Sequence, residues 1–159
     1  MRLQISELVR EATNAHLLRL LREDPRMAVS ELGRRVGMSA PAVRERVLRL
    51  REAGIISGYR VDIEPAALGY TVCAFVRVRP SPGQLPKIAE LARRTPEVVE
   101  CHRVTGEDCF VMKVYLPSLD RLDGLLDRFL QHGQTTTSIV QSTPVPARGL
   151  PLPTVSRRG

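Results

Sequence analysis

The sequence has few of the residues that carry metal or redox chemistry. Its 159 residues include three histidines, which lie far apart, and three cysteines, Cys73, Cys101 and Cys109. No CxxC pair occurs and no spacing is typical of a metal site, so we expect neither a metal nor a cofactor. Because all three cysteines lie in apolar, strand-like runs, we expect them to be small buried core residues.

Long apolar runs are also lacking. No stretch approaches the roughly 18 consecutive apolar residues of a membrane span. The N-terminus, MRLQISELVREA, lacks the unbroken apolar run of a signal peptide. We therefore expect a soluble, cytoplasmic protein with no membrane partner. The apolar content of 43% is still enough for real cores, which argues against global disorder.

Acidic residues are too few to balance the arginines, and the resulting excess of positive charge is unevenly distributed along the chain. The net charge is +7. Residues 1–60 carry 12 arginines against 7 acids, residues 61–144 carry 9 basic and 10 acidic residues, and residues 145–159 carry three arginines and no acid. A phosphate-binding surface needs local positive charge, so this distribution places a polyanion-binding surface in the N-terminal third.

Residues 28–54, AVSELGRRVGMSAPAVRERVLRLREAG, have the pattern of a helix-turn-helix. Gly37 is placed for the left-handed residue that ends the first helix, and Ser39 is placed to cap the second. Pro41 falls in the first turn of that helix, where its missing N–H costs nothing. Val43, Val47 and Leu50 then recur at helical spacing and predict a buried stripe.

Two further elements complete this predicted domain over residues 1–61. Asn14 is expected to cap a helix over AHLLRLLRED, which Pro25 ends. Residues 55–61 are expected to form a short strand, as in a small winged helix-turn-helix. Residues 62–70, with a short helical turn, are then expected to form a hinge to a second domain.

The second helix of the pair supplies the predicted contacts to double-stranded DNA. Arg44, Glu45 and Arg46 are candidates to read base edges, and Arg49 with Arg34 or Arg35 is expected to touch phosphate. Glu45 is at least as well explained by an i,i+4 pair with Arg49 on the helix surface. The outward N-terminal positions Ala40, Pro41 and Ala42 are small, which allows close approach to base edges. Ser39, Ala40 and Pro41 are included among the expected DNA contacts. Because one unit buries little duplex, we expect a dimer that reads two half-sites.

From residue 71 the periodicity changes and predicts a βαββαβ order, the split-βαβ or ferredoxin-like pattern. The expected elements are strand 71–80, helix 83–96, strand 98–106, strand 108–117, helix 118–132 and strand 135–143. The fold class is therefore α+β, with a helix-turn-helix followed by a ferredoxin-like domain over residues 71–144. Residues 145–159 are Pro-rich and are expected to form an extended tail.

Four stretches of the chain are informative together: SELGRRVGMS, LREAGIISGYRVDIEPAALGY, VVECHRVTGEDCFVMKV and TTTSIVQST. In combination they resemble the leucine-responsive regulatory protein/AsnC family, the feast/famine regulators. The resemblance covers about residues 14–144. It implies a DNA-binding domain, a hinge and a regulatory βαββαβ domain, often called the RAM domain. That domain dimerises through its sheets, often assembles into octamers, and binds small effectors, usually amino acids, between subunits.

The resemblance also implies an effector site. The loop after the second strand of the regulatory domain supplies contacts, here Gly106, Glu107 and Asp108, and the last strand supplies Thr135 and Thr137. Exposed loop N–H groups suit a carboxylate, and an acid suits an α-ammonium. The sequence departs from the family at this loop, which often reads G-D-x-D, because Cys109 stands where a second acid is expected.

Two other functions stay open at this stage. Some haem-biosynthesis decarboxylases share this fold, and His102 and Arg103 would be the residues of interest for tetrapyrrole chemistry. An architectural DNA-binding protein without an effector would bind duplex in a salt-sensitive and sequence-indifferent way. The leading prediction is a non-enzymatic, sequence-specific transcriptional regulator that responds to a small metabolite.

Overall fold

The computed structural model describes residues 7–152, which divide into two compact units. The first unit contains the described residues up to Val61 and also residues 147–152, and the second contains residues 62–146. Within the described range, no helix is both long enough and apolar enough to cross a membrane.

The described part of the first unit is built on three helices that follow a short helical stretch. They are α1 (Ala12–Glu23), α2 (Val29–Val36) and α3 (Ala40–Glu52), and residues 7–10 are helical before α1. Each helix contributes to one buried apolar cluster, because the leucines and valines recur at helical spacing. The buried members are Leu17, Leu20, Leu21, Leu32 and Val43.

The turn between α2 and α3 has the geometry that the sequence predicts. Gly37 has φ 70° and ψ 35°, the left-handed conformation that glycine adopts without strain. The Ser39 hydroxyl accepts a hydrogen bond from the backbone N–H of Ala42 at 3.4 Å, and Pro41 lies in the first turn of α3. The predicted C-cap and N-cap of the helix pair are confirmed.

Asn14 does not cap α1. It lies inside the helix and is only 2% exposed, while Glu11 precedes the helix without a side-chain capping bond. The Asn14 amide instead donates to the carbonyl oxygen of Leu8 and to a carboxylate oxygen of Glu11, each at 3.0 Å. The helical residues 7–10 keep the backbone wound upstream of α1, which moves Asn14 from the end of a helix to its interior.

The strand expected over residues 55–61 is also absent. The chain bends at Ile55 and Ile56, has no regular secondary structure over residues 57–61, and pairs with no strand within residues 7–152. A period-2 apolar pattern predicts a strand only where a partner supplies the ladder of hydrogen bonds. Within residues 7–152, the helix-turn-helix therefore has no β-strand wing of its own.

The second unit begins with a 3₁₀ helix over Pro65–Leu68, the predicted helical turn of the hinge. The elements that follow are β1 (Val72–Pro80), α4 (Leu85–Arg94), β2 (Val98–Arg103), β3 (Phe110–Leu116), α5 (Asp120–Leu130) and β4 (Gly133–Ile139). All strand pairs are antiparallel, and the strand order is β2-β3-β1-β4. The predicted βαββαβ fold is confirmed, with shorter strands than the sequence indicated.

Strand alternation gives the sheet two different faces. One, the helix face, packs on α4 and α5 and buries Val76 and Val78 of β1 with Phe110, Met112 and Val114 of β3, together with Ile88 and Phe129 of the helices. The other, the open face, is covered by no element of the second unit. It contains Cys73, Phe75, Arg77, Arg79, Glu100, His102, Val111, Lys113, Tyr115, Thr136 and Ser138.

The cysteines are not the buried core residues that the sequence suggested. Cys101 is exposed, Cys73 and Cys109 are half-buried, and all three are free thiols. Cys101 lies on the edge strand β2, where it lines a shallow groove of about 500 Å³ with Arg93 and Arg103. The prediction is wrong because an apolar run shows neither that Cys101 lies on an edge strand nor that Cys73 of the central strand β1 faces the open side of the sheet.

Candidate functional site

Helix α3 presents a polar outer side, as its sequence predicts. Pro41, Arg44, Glu45 and Arg49 are exposed, and Ala40 is half-buried at the start of the helix. Glu45 accepts a hydrogen bond from Arg49 at 2.6 Å, so the predicted i,i+4 pair forms. Arg44 makes no ion pair with any residue of the described range. Its guanidinium is therefore available to a nucleic acid.

Arg34 and Arg35 project from α2 and share one carboxylate. Arg34 Nε donates to Glu31 at 2.8 Å, and Arg35 Nε donates to Glu31 at 2.7 Å. The hydrogen bonds from Arg34 and then Arg35 lower the pKa of Glu31 from 4.5 to about 2. One negative charge stands against two positive charges, so this side of α2 stays cationic and suits phosphate.

Arg46 occupies a different position from the one predicted. Its guanidinium forms an ion pair with Glu11 and donates a 3.0 Å hydrogen bond to the Asn14 side-chain oxygen. Its side chain is 27% exposed, against 59% for Arg49. The structure thus places Arg46 between α3 and α1, and not on the outer side with Arg44 and Arg49.

Sequence reasoning missed Gly33, a second glycine that shapes the helix pair. Gly33 is buried inside α2, and a Cβ atom there would stand less than 3.0 Å from the carbonyl oxygen of Met38. Glycine in the middle of a helix lowers helix stability by about 1 kcal/mol relative to alanine, so a glycine at such a position indicates a packing requirement. Here the reason is the close approach of the α2–α3 turn.

The loop between β2 and β3 places two carboxylates beside two arginines of the open face. Glu107 forms an ion pair with Arg79, and Asp108 lies 3.8 Å from Arg77 Nε. Gly106 has φ 107°, a backbone conformation that residues with a side chain rarely adopt. This loop therefore combines a conformation that suits glycine with acidic and basic groups that suit a zwitterionic ligand.

Thr135 and Thr137 lie on the other face of the sheet. They are the register partners of Val78 and Val76, whose side chains are buried on the helix face. Both threonines are half-buried, and the hydroxyl oxygen of Thr137 is buried without a hydrogen-bond partner. Within one chain, the structure does not bring these threonines together with the carboxylates of Glu107 and Asp108.

His102 and Arg103, the residues of interest for a decarboxylase, also lie on opposite faces. His102 pairs in register with Val111 and stands 3.6 Å from the Glu100 carboxylate on the open face. Arg103 pairs with the buried Phe110 and lines the groove on the helix side. One tetrapyrrole could not receive both side chains from one copy of this edge strand.

Family comparisons match both units. The AsnC-type helix-turn-helix domain matches residues 12–51, and the Lrp/AsnC ligand binding domain matches residues 73–150. The first match contains α1, α2 and most of α3, and the second contains the whole sheet except Val72, the first residue of β1.

Two curated relatives extend over most of the chain. The uncharacterized HTH-type transcriptional regulator YezC of Bacillus subtilis is 35% identical over 131 residues, which is 82% of this chain and 93% of the relative. The HTH-type transcriptional regulator LrpA of Mycobacterium tuberculosis is 35% identical over 130 residues, which is 80% of this chain and 87% of LrpA.

Solved structures of similar fold include proteins with a bound amino acid. The feast or famine regulatory protein from M. tuberculosis complexed with L-methionine has a TM-score of 0.82 at 33% identity, covering 90% of this chain and 99% of that one. A transcriptional regulator from Neisseria meningitidis, also in complex with L-methionine, has a TM-score of 0.83 at 27% identity, covering 89% and 96%.

Proposed function

The chain belongs to the Lrp/AsnC family of helix-turn-helix regulators, and we propose that it controls transcription by binding duplex DNA and an amino acid. The observation that carries this proposal is the helix pair closed at Gly33 and Gly37, which leaves the arginine-rich side of α3 exposed. A helix presented in this way enters the DNA major groove. This activity needs no resident cofactor, and the cytoplasm is its proposed location.

On the DNA side, the exposed arginines have separate roles. Arg44 and Glu45 face outward from the N-terminal half of α3 and are proposed to contact base edges. Arg49 and the pair Arg34 and Arg35 are proposed to contact phosphates, because their guanidiniums are exposed and already arranged around carboxylates. Arg46 stabilises this surface through its contacts with Glu11 and Asn14 and is not proposed to contact DNA.

A second copy of the chain is part of the proposal. Tyr59, Val61 and Ile63 alternate with polar residues in a segment without regular secondary structure, and Val61 is 85% exposed. On the open face Phe75 is 42% exposed beside Val111 and Tyr115. Apolar surface of this kind is typical of a contact with another protein surface. A two-fold dimer would present two α3 helices to two half-sites.

The effector site is proposed to lie between copies. A free amino acid carries a carboxylate for the loop N–H groups or Arg77 and an ammonium for Glu107 or Asp108. Thr135 and Thr137 lie on the opposite face, so both sets reach one ligand only when different subunits supply them. The ligand would shift the population toward the assembly that it binds more tightly, and so change how the DNA-binding units are presented.

The test has a DNA arm and an effector arm. In the first, duplex DNA from the protein's own upstream region is titrated by fluorescence anisotropy against the parent, Arg44→Ala and the control Arg121→Ala. Arg121 is an exposed arginine of α5. We expect Arg44→Ala to weaken specific binding about tenfold or more, and the control to bind as the parent does.

In the effector arm, each of the twenty amino acids is tested for thermal stabilisation and for a change in sedimentation. A ligand present at 100 times its dissociation constant adds about 2.7 kcal/mol of stability. No response to any amino acid would refute the effector part and leave DNA binding intact. Sequence-indifferent binding by the parent would favour the architectural alternative.

A further inference from the structure

A groove runs between α4 and the edge strand β2 on the helix side of the sheet. Its volume is about 500 Å³, which lies within the roughly 300–1,000 Å³ of small-molecule sites. Its floor is apolar and is formed by Leu85, Ala89, Ala92, Val98 and Phe110. Within the described residues β2 pairs only with β3, so the groove lies at the open edge of the sheet. A small ligand with an apolar body could cover this floor.

Two arginines line the groove, Arg93 from α4 and Arg103 from β2. Arg103 forms no ion pair with any residue in the described range 7–152. Arg93 Nη1 lies 3.7 Å from the Glu90 carboxylate, which also lies 3.8 Å from Arg94 Nη1, and both distances are longer than a hydrogen bond. One carboxylate is thus shared by two arginines, and Arg103 has none, so the groove keeps an excess of positive charge.

The acidic residue that lines the groove directs its carboxylate elsewhere. Glu100 pairs in register with Lys113, and its carboxylate lies 3.6 Å from His102 Nε2 on the open face. Cys101 adds no negative charge, because burial raises the pKa of its thiol and the Arg93 guanidinium offsets only part of that rise. Among the lining residues that the structure describes, no anionic group therefore faces the two guanidiniums.

We propose that this groove binds a small organic carboxylate with an apolar body, with the carboxylate on Arg93 and Arg103 and the body on the apolar floor. Guanidinium groups bind carboxylates through paired N–H···O hydrogen bonds, which suits this arrangement. An α-ammonium group would find no carboxylate acceptor there. The groove should therefore prefer an organic acid to the amino acid with the same carbon chain.

This site is separate from the proposed effector site. The strand order places β2 at one edge of the sheet and β4, which carries Thr135 and Thr137, at the other, about 14 Å away at the usual strand spacing. Glu107 and Asp108 pair with arginines of the open face, whereas the groove lies on the helix side. The proposal also does not depend on DNA binding.

Cys101 reports whether the groove is occupied, because its exposed thiol lies in it. The experiment measures the rate at which N-ethylmaleimide alkylates Cys101 in the full-length protein, by peptide mass spectrometry at constant ionic strength. Hexanoate is the probe, and its matched controls are norleucine, which adds an ammonium group, and hexanol, which lacks the carboxylate. Hexanoate at about ten times its dissociation constant leaves about one-tenth of the grooves free, so alkylation should slow about tenfold. Both controls should protect Cys101 less than hexanoate does.

Two variants test the arginines separately. Arg103→Gln and Arg93→Gln should each weaken hexanoate binding about tenfold, because each removes a charge-assisted pair with the carboxylate. The control Arg121→Ala removes an exposed arginine of α5 outside the groove and should keep the parent response. Unchanged hexanoate binding in both glutamine variants would overturn the proposal.

Three other results would also overturn it. Equal protection by hexanol would show that the arginines recognise nothing, and stronger protection by norleucine would assign the groove to an amino acid. Alkylation that is slow without ligand and faster on dilution would show that a second copy of the chain covers the groove. Each of these results leaves the DNA-binding proposal standing, because the readout involves no duplex.

Discussion

The backbone N–H of Met38 donates a 2.8 Å hydrogen bond to the carbonyl oxygen of Gly33, which closes the turn between α2 and α3. This bond spans the left-handed Gly37 in the manner of a Schellman motif. It also draws the carbonyl of Met38 to the place that a Cβ atom at position 33 would occupy. The orientation of α3 relative to α2 thus depends on the absence of a Cβ atom at position 33.

Gly33→Ala should destabilise the helix-turn-helix unit, although alanine is the better helix former. Overpacking against backbone typically costs 1 to 3 kcal/mol, so we expect a loss of about 2 kcal/mol in urea unfolding. The matched control is Gly124→Ala in α5, where a Cβ atom meets nothing within 4 Å. That change should raise stability by about 0.5 to 1 kcal/mol. An equal response at both positions would contradict the close approach.

The side chain of Asn14 should stabilise the first unit through Arg46. Asn14→Ala removes the hydrogen-bond partner of the half-buried Leu8 carbonyl and one partner of the Arg46 guanidinium, so we expect a loss of about 1 to 3 kcal/mol of unfolding free energy. Arg46→Ala should show a similar loss, whereas Arg44→Ala should change stability by less than about 0.5 kcal/mol. Denaturant unfolding of the three variants tests this, and a neutral Asn14→Ala would refute the inward position of Arg46.

Glu31 should make the stability of the first unit depend on pH in the acidic range. Its pKa is about 2 in the folded protein against 4.5 ordinarily, so its contribution is fully present above pH 4.5 and is lost as the pH falls towards 2. Thermal unfolding between pH 5 and 2 should therefore be less pH-dependent in Glu31→Gln. The double variant R34A/R35A should flatten the profile as well, because it removes the cause of the shift. Unchanged steepness in both variants would contradict the prediction.

The Thr137 hydroxyl should be dispensable for folding and needed for the effector. Because its oxygen is buried without a partner, Thr137→Val should keep the unfolding free energy or raise it by about 1 kcal/mol at most. The thermal shift produced by the effective amino acid should fall in this variant. Thr136→Val, on the opposite face of the same strand, should keep the parent response. A full amino-acid response in Thr137→Val would remove Thr137 from the proposed site.

Much of the fold could be predicted because local patterns fix it. Gly37 and Ser39 have backbone requirements that few other residues meet, so the turn between α2 and α3 was predictable. Asn14 shows the limit of such reasoning. An asparagine can cap a helix or hydrogen-bond to groups in its interior. Asn14 takes the second role because residues 7–10 are already helical and supply the Leu8 carbonyl.

The candidate site was less predictable than the fold. Glu107, Asp108, Thr135 and Thr137 were identified by resemblance to a family, but which face of the sheet each occupies depends on strand register. A shift of one residue in register moves a side chain to the opposite face. The sequence predicts that Arg46 contacts DNA together with Arg44 and Glu45, because helical spacing alone does not show that Arg46 has a partner on another helix.

The sequence by itself determined the helix-turn-helix, the βαββαβ order and the concentration of positive charge, since each follows from short-range spacing or composition. Tertiary structure alone decided that Arg46 faces Glu11 and Asn14, that Cys101 lies on an edge strand, and that the tail packs on Arg22. These contacts join residues 32 to 128 positions apart in the chain. Short-range sequence patterns do not predict such pairs, because only the packing of the helices and strands against one another brings these residues together.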